Sequence, residues 1–172
     1  MKAIMMSIRP QYVAKILNKE KTIEIRKKFP KDYVGWVYIY CTKSGEVFKN
    51  SDNHYSAYKN RSKRIYKGRL SNCAVVARFW CDKVVEFYDF DDDLCKKACL
   101  DRGEMLDYLG NKNGTAIHIS DLEIFDKPKE ISEFRHFVKY WKCIDEPYSH
   151  YACVEELVSL EKAPQSYMFI EV

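Results

Sequence analysis

The sequence predicts a single α+β domain, a mixed β-barrel with short helices over its ends. Three observations carry that expectation. The chain opens strand, helix, strand at short spacing; alternation of apolar and polar residues returns in several later segments; and helical periodicity is confined to short runs. With 172 residues, 47% apolar and 15% aromatic, the chain suffices for one packed core.

In order, Lys2 to Ile8 reads as a strand because Ile4, Met6 and Ile8 alternate. Residues 11–18 read as a helix with Val13, Ile16 and Leu17 on one face, and Pro10 stands where a first turn tolerates it. Residues 22–26 form the next strand, and Gly35 to Thr42 another, with Val37, Ile39 and Cys41 opposite Trp36, Tyr38 and Tyr40. Lys43 to Ser71 has no sustained period and is rich in Asn, Ser, Lys and Arg, which predicts a long surface insertion over about residues 44–71. Asn72 to Phe87 is a long strand or hairpin arm. After the acidic run Glu86 to Asp93 come helices over 91–100 and 103–109, stopped by Gly110-Asn111. Gly114 to Phe125 is a strand expected to pair with the long arm before it. Ser132 is placed to cap a helix whose Phe134, Phe137, Val138 and Trp141 follow i, i+3, i+4, i+7 spacing. Ser166 to Val172 is the last strand, closing the barrel.

No apolar run approaches the roughly 20 residues of a membrane helix, and the N-terminus lacks a signal peptide's apolar core, so a soluble, cytoplasmic protein is expected. Seven cysteines, several in apolar strand patterns (Cys41, Cys73, Cys81), argue for reduced thiols rather than a disulfide framework. A net charge of +4 is too mild to name a partner by itself; its distribution matters more. No metal or other cofactor is expected. Cys95 and Cys99 at i, i+4, and His150 near Cys153, lack the paired close spacings of a zinc site. His118, among apolar strand residues, is given no role.

The informative segment is Lys21-Thr22-Ile23-Glu24-Ile25-Arg26. Alternation sends Ile23 and Ile25 one way and Thr22, Glu24 and Arg26 the other, so a carboxylate and a guanidinium share one polar face right after a helix. From pattern alone this is either a braced surface ion pair or a row of donors and acceptors for a polar ligand such as a nucleotide. The stretch Lys19 to Arg26 resembles the Gly-x-Lys-x-x-Glu-x-Arg signature of the ASCH domain family, small β-barrels of the PUA-like superfamily. Lys21, Glu24 and Arg26 fall on signature positions, while Lys19 replaces the glycine and so predicts a turn that does not rely on a glycine's positive φ. The resemblance extends to Met1 to Pro10, Val37 to Thr42 and the closing Ala163-Pro164-Gln165-Ser166-Tyr167. It implies a PUA-like barrel whose ligand cleft is lined by Lys21, Thr22, Glu24 and Arg26.

A second clue is basic. Lys59, Arg61, Lys63, Arg64, Lys67 and Arg69 are six cations with no intervening acid, with Tyr55, Tyr58 and Tyr66 close by. Cations track phosphates and tyrosines stack on bases, so Tyr58 and Tyr66 are candidate stacking residues. A like-charge block can equally be a solvated loop. Together with the resemblance, the expectation is a non-catalytic module for single-stranded RNA or a nucleotide, with no membrane partner.

Two alternatives are weighed. One ASCH branch is similar to small amidohydrolases that act on acetylated cytidine through a lysine, a threonine and a glutamate. If this chain were such an enzyme, Lys21 and Glu24 would carry the chemistry. Glu24, however, stands where that branch has its threonine, and a carboxylate cannot replace an activated hydroxyl. Related sequences often carry Gly-Glu-Phe in the central strand, where this chain reads Ala77-Arg78-Phe79. The other alternative is a transcription-linked protein adaptor using the aromatic residues from Phe134 to Trp141.

Overall fold

A computed structural model of the chain describes residues 1–58, 69–70, 73–145 and 150–172. Its elements run β1 (Lys2–Ile8), α1 (Pro10–Leu17), β2 (Ile23–Arg26), β3 (Gly35–Cys41), β4 (Glu46–Lys49), β5 (Tyr55–Tyr58), β6 (Arg69–Leu70), β7 (Ala74–Cys81), β8 (Val84–Phe87), α2 (Asp92–Ala98), α3 (Arg102–Leu109), β9 (Gly114–His118), β10 (Ser120–Lys129), β11 (Arg135–Asp145), β12 (His150–Ser159) and β13 (Tyr167–Glu171). The fold is α+β and dominated by strands. Among the described residues they form a seven-stranded sheet in the order β10-β7-β3-β1-β13-β11-β12 and two three-stranded sheets, β2-β9-β8 and β5-β4-β6. The large sheet has open edges at β10 and β12, so no closed ladder of the expected barrel is formed among these residues.

The strand, helix, strand opening is present. β1 and β3 are parallel, Ile4 beside Val37, and parallel neighbours need a crossover, which α1 supplies. Both faces of β1 are buried: Ile4, Met6 and Ile8 pack with Val13, Ile16 and Leu17 of α1, while Ala3 and Met5 join Tyr38, Val75, Phe134 and Ile170 on the other side. β13 flanks β1 antiparallel, Lys2 beside Glu171.

α1 ends in a backbone motif that uses the left-handed region. Lys19 has φ +62°, its N–H donates to Ile16 O (2.8 Å) and the Glu20 N–H to Lys15 O (2.9 Å). The positive φ of the signature glycine is therefore adopted by a lysine, contrary to the expectation for that turn. α2 and α3 sit over β2, where Ile25, Cys95, Ala98, Met105 and Leu109 make a third apolar cluster.

Three further expectations are corrected. The segment over 44–71 is not all loop: β4, β5 and β6 pair within it, and Val47 and Tyr55 are buried in the main core. Strands of four residues are too short to show a period. The arm over 72–87 divides at 82–83, so that β7 stays in the large sheet and β8 joins β2 and β9. The helix over 132–142 is instead one 3₁₀ turn, Ile131–Glu133, followed by β11, whose register with β12 runs from Arg135 opposite Ser159 to Asp145 opposite His150.

Candidate functional site

A cavity of about 700 Å³ opens where the end of β1, the start of α1, β2 and α3 converge. Lys21, Glu24 and Arg26 line it together, brought there by two devices. Alternation along β2 aims Glu24 and Arg26 the same way, while Lys21 lies ahead of the strand and is free of its alternation. Lys21 is 2% exposed and Glu24 6%, values that charged side chains reach only when paired.

The pairing is specific. Arg26 Nη2 lies 3.2 Å from Glu24 Oε1 and donates to Ser7 O at 2.8 Å, and its Nε meets Met6 Sδ at 3.4 Å. Lys21 Nζ donates to Ala98 O, at the C-terminal end of α2 where the helix dipole favours a cation, and lies 5.3 Å from the Tyr12 ring centre. Its distance to Glu24 Oε2 is 3.4 Å, an ion-pair contact that lacks hydrogen-bond geometry. Glu24 Oε2 is thus a buried carboxylate oxygen with no hydrogen-bond donor. A buried acceptor without a donor costs about 1–3 kcal/mol, which the Lys21 contact offsets in part.

Several lining residues were not picked out in the sequence as cleft residues. Ser7 donates through Oγ to Pro164 O (2.6 Å) and through its backbone N–H to Ser166 O (2.9 Å), which fixes Gln165 and Ser166 as one wall. α3 contributes Glu104, Asp107 and Tyr108, and Lys27 Nζ sits 5.4 Å from the Tyr108 ring centre. Arg9 and Tyr12 enter from the start of α1, Thr42 and Ser44 from the chain after β3. The closing segment around Gln165 was singled out by resemblance; the acids on α3 had no local signal.

Other candidate residues lie elsewhere. Thr22 is not among the lining residues; its N–H donates to Lys97 O and its carbonyl accepts from Ile119 N–H, so it ties β2 to its neighbours. Tyr58 stacks on Phe48 with ring centres 5.0 Å apart. Its carbonyl lies against Gly45, next to the cavity-lining Ser44. Lys59, Arg61, Lys63, Arg64, Tyr66 and Lys67 lie outside the described residues, as does the side chain of Arg69, whose backbone pairs with Phe48 in β6. Arg78 is away from the cavity, 4.1 Å from the Trp36 ring centre and paired with Glu123 Oε2 at 2.7 Å. His118 Nδ1 is 2.6 Å from Asp82 Oδ1, and this contact holds the Asp82 carboxyl below its ordinary range. Among the described residues no group of His, Cys, Asp and Glu side chains is arranged to hold a metal ion, and no helix is long and apolar enough to cross a membrane.

No protein-family model and no curated protein matches the chain. Solved structures do. The crystal structure of ASCH from Zymomonas mobilis is similar with a TM-score of 0.57 over 98% of this chain and 87% of that one, at 15% identity. A serine-to-alanine mutant of it matches over the same shares at 0.56 and 15% identity. A tyrosine-to-phenylalanine mutant matches at 0.50 over 74% of this chain and 75% of that one, at 16% identity.

Proposed function

We propose that this chain, which has the ASCH fold, is a non-catalytic module that holds single-stranded RNA or a nucleotide in the cavity lined by Lys21, Glu24 and Arg26. The observation that carries the reading is the Glu24 carboxylate, held between Lys21 and Arg26 on the wall of a cavity of about 700 Å³. That volume falls within the roughly 300–1,000 Å³ of small-molecule sites. A nucleotide offers both complements, N–H donors on a base edge for the carboxylate and an anionic phosphate for the cations. In this reading Lys59, Arg61, Lys63, Arg64, Lys67 and Arg69 add phosphate contacts to a longer RNA. The chain enters that segment from Tyr58, beside the cavity rim.

A binding role rather than a hydrolytic one is supported by how Lys21 is held. Its ammonium is engaged by Ala98 O and faces Glu24, which holds it in place, and a carboxylate stands where the hydrolase branch has its hydroxyl nucleophile. The test is a titration with single-stranded RNA between about 50 and 200 mM salt. Affinity should fall steeply with salt, Arg26→Ala should weaken it about tenfold or more, and neutralising the six cations from Lys59 to Arg69 should flatten the salt dependence. No affinity at low salt would sink the binding reading. Release of cytidine from acetylcytidine, lost in Lys21→Ala, would replace it with the enzymatic one.

A further inference from the structure

β11 and β12 form a two-stranded arm. Among the described residues its one ladder pair with the rest of the sheet is Arg135 with Glu171, and no described side chain between 135 and 159 is buried. Opposed residues of an antiparallel pair share a face, so the register places Phe137 with Leu157, Lys139 with Glu155, and Trp141 with Cys153 on the same side. Phe137 is 46% exposed, Leu157 39% and Trp141 71%. A lone hairpin is marginal in water, and an apolar face of this kind on it calls for a partner.

The charges choose among partners. β11 and β12 carry Arg135, Lys139 and Lys142 against Asp145, Glu155 and Glu156, a balance that gives RNA phosphates no net attraction. On the apolar face itself one lysine and one glutamate stand side by side, Lys139 Nζ 3.7 Å from Glu155 Oε1, between the Phe137–Leu157 row and the Trp141–Cys153 row. Such a face is complementary to its own copy. With a twofold axis along the arm, Lys139 of one copy meets Glu155 of the other, and Phe137 meets Leu157.

We propose that two copies of this chain associate face to face through the Phe137, Lys139, Trp141 side of the β11–β12 arm. The full chain should show a molar mass that falls from dimer to monomer on dilution, read by sedimentation or light scattering. Phe137→Ser with Trp141→Ser should weaken association at least roughly tenfold. Because that variant removes packing within the arm as well, charge reversal is the sharper test. Lys139→Glu alone and Glu155→Lys alone should each be monomeric at concentrations where the native chain pairs, and mixing the two should restore a dimer, since each reversed charge then meets its complement on the other copy. The proposal is overturned if the native chain is monomeric throughout, if the mixture stays monomeric, or if the doubly substituted arm still pairs. It is equally overturned if Trp141→Ser abolishes binding to phosphatidylcholine vesicles or single-stranded RNA and leaves the mass unchanged.

Discussion

Lys19 occupies a backbone conformation that suits glycine, with φ +62° at the turn between α1 and β2. The left-handed region costs a residue with a Cβ about 1–2 kcal/mol, and glycine's greater freedom in the unfolded chain returns roughly half of that on substitution. Lys19→Gly should therefore raise stability by about 0.5–1 kcal/mol in urea unfolding, because the hydrogen bonds of this turn are made by backbone groups of residues 15, 16, 19 and 20. Which cavity residues could be read from the sequence follows the same local logic. Glu24 and Arg26 were legible because strand alternation ties them to one side, and Lys21 because it falls on the signature. Ser7, Glu104, Asp107 and Gln165 are not legible as cleft residues, since they come from three separate parts of the chain and meet only once the fold exists.

β8 and β9 meet where Phe87 lies opposite Gly114, and a Cβ added to Gly114 would clash with the tip of the Phe87 ring. Gly114→Ala should destabilise the protein by about 1–3 kcal/mol, seen as a lower Tm, because the ring would have to move to admit a methyl group. That sheet also carries β2, so the variant should weaken ligand binding as well as stability. At this scale β1, α1 and β3 are readable because each buries a regular set of apolar residues against the core. In the sequence β11 resembles a helix because Phe134, Phe137, Val138 and Trp141 fit a period of 3.6 as well as a partly exposed strand does. The deciding partner, β12, lies further along the chain and makes its hydrogen bonds through the backbone, so residues 132–142 alone could not reveal it.

For the whole molecule the main core sets a response to alkali. Cys41, fully buried at the end of β3, has its thiol pushed up to about 12 by burial and by the nearby Cys73, from an ordinary value of 9.0. The folded state then keeps a proton that the unfolded chain releases. The stability this represents is complete below pH 9 and lost as pH rises toward 12, at up to about 1.4 kcal/mol per pH unit for one group. Unfolding free energy should decline over that window, and Cys41→Ala, though less stable at pH 7, should decline less steeply in denaturant titrations at pH 8, 9 and 10.

The position of β1 sets a schedule for the ribosome. The strand at the centre of the large sheet, apolar on both faces, has β3 on one side and β13, Lys2 beside Glu171, on the other. Its second edge stays open until residues 167–171 have been made. Contacts between such distant parts of a chain form slowly. The nascent chain therefore carries an unpaired, water-averse strand until residues 167–171 emerge, and its yield in a cell should depend on what shelters residues 2–8 during that interval.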